Sequence, residues 1–193
     1  MTEAILRKAR ESATTQLAFF EENAPAIERC VGGLAERISA GGRLFVFGNG
    51  GSACDAAHLA VEFQHPIVEK RRALPATALS LDSALLTAVG NDTDFSRAFS
   101  DQLELLGRAG DIALGLSTSG ASANVVRALR RARQLSMLTI GFCGRDGGQF
   151  PDVCEHCFIV KSWSIHRIQE SHTTLLHILW DALQVKLGAD DVL

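Results

Sequence analysis

Hydrophobic and polar positions form two alternating patterns along the chain. Short apolar runs typical of strands buried on both faces occupy residues 43–47, 76–81, 112–116, 137–142 and 157–160. Between them, apolar residues return every three or four positions, as at Val125, Leu129 and Ala132, which predicts amphipathic helices. Strands that alternate with helices favour right-handed crossovers and a parallel sheet. We therefore predict an α/β fold, a three-layer αβα sandwich around a central parallel five-stranded sheet.

Two more helices are predicted ahead of the first strand, over residues 3–22 and 24–40. The break between them is placed at Asn23, a good N-cap, because Pro25 then falls in the first turn, where a missing N–H costs little. Amphipathic helices in this position could cover the sheet or pair with another subunit. We expect the helices within residues 1–40 to contribute to oligomerisation.

Length and charge narrow the class of protein. The absence of internal repeats and low-complexity linkers predicts a single domain over residues 1–193. A net charge of −3 argues against a basic surface for nucleic acid or an anionic membrane. No apolar run approaches the roughly 20 residues of a membrane span, and the start of the chain lacks a signal-peptide core. We expect a cytoplasmic protein with no nucleic-acid or membrane partner.

The cysteines give no sign of a disulfide framework. Five is an odd number, and in a reducing compartment we interpret all of them as free thiols. Cys154 and Cys157 form a CxxC motif, but it has no second ligand pair at zinc-finger spacing. The motif also does not stand at a strand-to-helix junction, where a redox pair would lie. A structural role is therefore favoured.

The third predicted strand ends in a segment rich in hydroxyl groups. Ser117, Thr118, Ser119 and Ser122 surround Gly120 just before the next helix. Such a turn combines hydroxyl donors, free backbone N–H groups and the positive end of a helix dipole. An ordinary N-cap would need only one Ser or Thr. The segment therefore predicts a binding site for a phosphate monoester, with Gly120 allowing close approach of the backbone.

The loop after the first strand opens onto the same edge of the sheet. Ligands of such folds bind beyond the carboxyl ends of the strands, where the strand order reverses. Residues 48–53 also match the dinucleotide pattern GxGxxA, but no acidic residue follows at the expected distance of about 20 positions, since Asp82 lies further on. Asn49 and Ser52 instead offer polar groups suited to sugar hydroxyls.

Two helices carry candidate metal ligands. His58 and Glu62 are four residues apart on the first crossover helix, so they share a face and could hold one divalent ion, although a solvated surface pair has the same spacing. Gln169 and His177, on the last helix, are about 80° apart around its axis and ~12 Å apart along it. One metal could contact both only from between them. His172 is interpreted as a structural histidine.

Six sequence elements carry a family resemblance when taken together. In chain order they are GNGGSxxDAxH at Gly48–His58, Glu62, GND at Gly90–Asp92, GD…STSGxSxN at Gly110–Asn124, CGRDGG at Cys143–Gly148 and RIQExH…H at Arg167–His177. With them, over about residues 1–190, the chain resembles the sugar isomerase domain family, in particular its members that act on sedoheptulose 7-phosphate. Each element alone would be weak evidence, but their joint order is specific.

The resemblance implies a homotetramer with active sites at subunit interfaces and one zinc ion per subunit. It implies conversion of sedoheptulose 7-phosphate to D-glycero-D-manno-heptose 7-phosphate through an enediol. The implied metal positions are His58, Glu62, Gln169 and His177. The implied substrate positions are Asn49, Gly50, Gly51, Asn91, Asp92, Ser117, Thr118, Ser119, Ser122 and Gln169.

Isomerisation moves a proton between C1 and C2, and we assign Glu62 as the base and His177 as the acid. Two departures from the family pattern, His166 and the pair His65–Pro66, bear on the choice of substrate. Two other functions are carried forward. One is a non-catalytic scaffold of the same fold that binds a phosphosugar or a replication initiator, and the other is an isomerase of a different ketose phosphate.

Overall fold

The computed structural model describes residues 1–67 and 71–191. Its helices are α1 (Thr2–Ser39), α2 (Gly51–Gln64), α3 (Ser83–Asp92), α4 (Ser100–Leu106), α5 (Ala123–Gln134), α6 (Phe150–Val153) and α7 (Ile165–Lys186), with a 3-10 turn at Phe95–Arg97. Its strands are β1 (Leu44–Gly48), β2 (Ala76–Ala78), β3 (Ile112–Ser117), β4 (Leu138–Gly144) and β5 (His156–Val160). No helix within the described ranges is long and apolar enough to cross a membrane.

The five strands form one parallel sheet in the order β2-β1-β3-β4-β5. Leu44 and Val46 of β1 enter a core shared with α1, α2 and α7, whereas Phe45 and Phe47 enter a second core shared with α4, α5 and α6. Both faces of the sheet are therefore buried, which explains the nearly continuous apolar runs. The predicted αβα sandwich is confirmed. The strand order reverses between β1 and β3, so these two strands frame the ligand edge.

The predicted break in the N-terminal helices is wrong, because α1 is a single helix of 38 residues. The Asn23 side chain does not cap a second helix; its amide donates to the carbonyl of Phe19, 2.8 Å away, within α1. Pro25 removes one hydrogen bond from the helix interior. Phe19 before it and Ile27 after it are both buried in the core that contains α7. Burial on both sides of the proline thus outweighs the local break signal.

The region after β2 also differs from its prediction. The sequence predicts a polar turn at residues 90–92 and a helix over 95–106. In the structure, residues 90–92 end α3, and a 3-10 turn followed by α4 takes the place of the second helix. The Asp82 carboxylate accepts from the Leu85 amide and starts α3. No residue of α3 is buried, so polar residues continue this surface helix without desolvation.

Candidate active site

Three serine hydroxyls converge at the end of β3. We call residues 117–122 the hydroxyl loop. The Ser117 hydroxyl lies 2.9 Å from that of Ser122 and 3.4 Å from that of Ser119. Ser122 is the N-cap residue of α5, yet its side chain makes no capping hydrogen bond. The serines therefore face one another in the loop rather than serving the helix, and they can reorient towards an anion.

The loop after β4 contacts the hydroxyl loop through backbone atoms. Gly120 has a φ of +62°, and a side chain there would collide with the carbonyl of Gly147. The backbone N–H of Gln149 donates to the Gly120 carbonyl at 2.9 Å. Gly147 and Gly148 themselves have positive φ, which explains the glycines of the CGRDGG segment. The conformation of the hydroxyl loop is thus set by backbone contacts.

Two asparagines join the loops after β1 and β3. The side-chain amides of Asn49 and Asn124 exchange hydrogen bonds of 2.9 and 2.8 Å. The side-chain Oδ1 of Asn124 also accepts from the backbone N–H of Val125. Asn124 is buried and, although it ends the STSGxSxN element, it was given no role from the sequence. A polar residue on the buried side of an amphipathic helix was the available signal. The pair bridges the point where the strand order reverses.

His58 and Glu62 of α2 meet His177 of α7, and we call these three residues the His–Glu–His cluster. Nε2 of His58 lies 3.2 Å from Nε2 of His177 and 3.4 Å from a carboxylate oxygen of Glu62. One ligand atom from each residue lies within 4.8 Å of the other two. Glu62 is mostly buried, whereas His177 is exposed. The open side of the cluster faces outwards, where a substrate or another chain can approach.

The donor set fits a zinc ion. Ligand atoms at about 2.0–2.2 Å from a tetrahedral zinc lie about 3.3–3.6 Å from one another. The separations of 3.2 and 3.4 Å from His58 are close to that spacing, and the Glu62 and His177 ligand atoms lie within 4.8 Å of each other. Two imidazole nitrogens and a carboxylate oxygen are also among the ligands that zinc prefers. The three residues therefore form a possible metal-binding arrangement with room for further ligands.

Comparison with known proteins decides the family, because the sequence profile of the SIS domain matches residues 9–144. The chain belongs to the SIS domain family. It is 44% identical over 184 residues to a phosphoheptose isomerase of Aquifex aeolicus, covering 95% of this chain and 96% of that protein. Two solved phosphoheptose isomerases also match this SIS chain. That of Neisseria gonorrhoeae has a TM-score of 0.89 at 34% identity, and that of Francisella tularensis has 0.91 at 32%. Each match covers 95% of this chain and 98% of the other.

The SIS resemblance also implies site roles for Gln169 and for the pair Asn91 and Asp92. The contacts of these residues described next are with residues outside the His–Glu–His cluster. The Gln169 side-chain amide packs against Gly51, at the start of α2, and would have to move to admit a side chain there. Asn91 and Asp92 lie at the exposed end of α3, where the Asn91 amide donates to the Asp92 carboxylate at 2.6 Å. Metal binding by Gln169 and substrate binding by Asn91 and Asp92 stay predictions.

His172 takes no part in the cluster, although it is on the same helix of the SIS fold as His177. It is fully buried, and its Nε2 donates to the Cys143 carbonyl at 3.1 Å. Burial lowers its pKa to about 4, so the ring is neutral at pH 7. This supports the interpretation of His172 as a structural residue. All five cysteines are free, as predicted.

Proposed function

We propose that this chain interconverts sedoheptulose 7-phosphate and D-glycero-D-manno-heptose 7-phosphate, an aldose–ketose isomerisation through an enediol. At a coarser level, its phosphoheptose isomerase relatives make it a phosphosugar isomerase. The observation that carries the proposal is the meeting of His58, Glu62 and His177 at one point. Moving a proton between neighbouring carbons needs a base and an acid on the same substrate, and a carboxylate and an imidazole provide both.

The hydroxyl loop is the proposed phosphate site. Its hydroxyls and the N-terminus of α5 offer donors to an anion without a fixed positive side chain. Asn49 ties this loop to the start of α2 through Asn124. From Gly51 to His58 the axis of α2 rises by roughly 10 Å, a distance on the scale of an extended seven-carbon sugar phosphate. Anchoring the phosphate would thus hold C1 and C2 near the cluster.

Glu62 is the proposed base and His177 the proposed acid. One carboxylate oxygen of Glu62 faces His58 at 3.4 Å, so its second oxygen is left to take the proton from the substrate carbon. His177 is exposed and can donate to the substrate oxygen. His58, Glu62, Gln169 and His177 are the proposed zinc ligands. Zinc held there would polarise the carbonyl of the substrate.

We also propose that four copies assemble, with active sites at the subunit interfaces. A groove of about 710 Å³ between α1 and α7 is lined by apolar residues that include Ile27, Val31, Ile178 and Val185. Ile178 follows directly after His177, so a partner that covers the groove would also border the cluster. Light scattering should then give the mass of four 20.7 kDa chains.

The assay that tests the reaction uses sedoheptulose 7-phosphate with and without a zinc chelator. We expect heptose 7-phosphate product, its loss on chelation and its recovery when zinc is returned. Glu155→Gln, at an exposed site between α6 and β5, is the matched control and should keep full activity. Tight binding of the sugar phosphate without product would favour a scaffold, and turnover of another ketose phosphate alone would favour a different isomerase.

A further inference from the structure

Helices α2 and α7 meet through polar contacts that repeat about once per helical turn. Gln169 packs on Gly51 at the first level. One turn further along both helices, the Thr173 hydroxyl donates to the Asp55 carboxylate at 3.3 Å. The next level is the His–Glu–His cluster itself. Asp55 therefore stands directly before the cluster on α2, three residues ahead of His58.

The Asp55 carboxylate is only partly compensated by its surroundings. The one hydroxyl that faces its Oδ1, that of Thr173, also lies within hydrogen-bond distance of the Gln169 carbonyl. Its Oδ2 is buried without a hydrogen-bond partner within residues 1–67 and 71–191. Burial raises the pKa of Asp55, while the Thr173 hydrogen bond and the charge of His58 lower it. A buried carboxylate oxygen without a partner is costly. Such a cost is offset when positive charge or an N–H donor is brought next to it.

The cluster supplies both when a divalent ion is bound. Glu62 contributes one negative charge and the two imidazoles none, so a bound dication would leave the cluster with one excess positive charge. Nε2 of His58 faces Glu62 and His177, which leaves Nδ1 as its nitrogen for an outer partner. Histidines that bind metals usually donate that second N–H to a carboxylate or carbonyl. Asp55 makes no hydrogen bond to His58 within the described residues, but positions three apart on a helix are neighbours, so a rotation of the two side chains would bring Asp55 to this nitrogen.

We propose that Asp55, anchored by Thr173, is a positioning residue that orients the His58 ring and stabilises a divalent ion in the His–Glu–His cluster. The inference rests on the proposed zinc chemistry but concerns a residue outside the ligand set. It separates two effects of the Asp55 charge. In the metal-free protein the incompletely compensated charge lowers stability, and in the loaded protein it contributes to zinc affinity.

The test measures the zinc dissociation constant by competition with a chromogenic chelator, together with the Tm of the metal-free protein. Asp55→Asn keeps the shape and removes the charge. We expect its zinc dissociation constant to rise by about 10–100-fold, with a metal-free Tm that is unchanged or higher. The control Asp101→Asn removes a charge from α4, on the opposite face of the sheet, and should leave zinc affinity unchanged.

Thr173→Val, which removes the anchor of the carboxylate, should weaken zinc binding less than Asp55→Asn does, and it carries the test if Asp55→Asn does not fold. Wild-type zinc affinity in these variants, or a lower metal-free Tm with no change in affinity, would overturn the inference. Its failure is distinct from failure of the proposed function. A wild-type protein that turns over sedoheptulose 7-phosphate with zinc affinity indifferent to Asp55 would overturn only the inference. One whose affinity depends on Asp55 but that forms no product would overturn only the proposed reaction.

Discussion

The two halves of the candidate site are built in different ways. The hydroxyl loop takes all its donors from residues 117–122, and its shape is fixed by backbone contacts with the neighbouring loop. The His–Glu–His cluster joins side chains from α2 and α7, where His58 and His177 are 119 positions apart in the chain. Backbone contacts between two loops therefore determine the shape of the first half, and the packing of two helices determines the second. Substitutions can separate the halves accordingly.

The largest expected effect comes from the cluster. Glu62→Gln and His177→Ala each remove a proposed proton-transfer group, so kcat should fall by at least about 10²–10⁴-fold. Circular dichroism and Tm should stay close to wild type, because neither side chain is part of the hydrophobic core. Stopped assays of heptose product from sedoheptulose 7-phosphate measure the loss. Near-native turnover in either variant would remove that residue from its assigned role.

A smaller and different effect is expected from Gly120→Ala, which alters the hydroxyl loop without touching the cluster. The added methyl group meets the Gly147 carbonyl, and the φ of +62° itself costs about 1–2 kcal/mol for a residue with a Cβ. The loop must shift, so KM should rise by about tenfold or more, a loss of roughly 1.4 kcal/mol in substrate binding. Zinc affinity should not change.

The matched control for that variant is Gly32→Ala in α1, where an added methyl group meets nothing within 4 Å. It should leave KM and zinc affinity at wild-type values. Parallel loss of substrate binding and zinc binding in Gly120→Ala would show that the two halves are not separable as proposed.

The same contrast explains how far the sequence alone could lead. The hydroxyl loop was predictable because its signal is local: an apolar strand, four hydroxyls and a glycine before an amphipathic helix. The spacing of His58 and Glu62 indicated a shared face of α2 but not what that face meets, and the same spacing is found in solvated pairs. His177 was a candidate ligand on the last helix, but only the family resemblance placed it in one set with His58 and Glu62. The contact itself depends on helix packing, which no local pattern records.

Errors in the predicted elements have the same origin. The Asn23–Pro25 signal for a helix boundary was a sound local argument, but buried contacts of Phe19 and Ile27 keep α1 continuous. In α3 the opposite holds, since nothing is buried and the helix continues through polar residues that resemble a turn. Strands β1, β3 and β4 were predicted within one or two residues because burial on both faces leaves a continuous apolar run.

The smallest expected effect at neutral pH concerns His172, which lies on α7 between Gln169 and His177 and connects this helix to the loop that supports the hydroxyl loop. Its Nε2 donates to the Cys143 carbonyl, at the end of β4, and its Nδ1 is buried without a partner within the described residues. A proton on Nδ1 would place a charge in the core. Because burial lowers the pKa of His172 from 6.5 to about 4, the unfolded chain binds this proton more tightly than the folded one.

The contribution of the neutral His172 ring to the free energy of unfolding should consequently be complete above about pH 7. It should fall as the pH drops below 6.5 towards 4. The His172 contribution to the loss is about 2 kcal/mol at about pH 5. His172→Gln keeps an N–H donor for the Cys143 carbonyl but cannot titrate. Urea unfolding at fixed protein concentration should therefore show a smaller loss of unfolding free energy on acidification in the variant than in the wild type. Equal losses in the two proteins would mean that the pKa of His172 is not lowered in the folded protein.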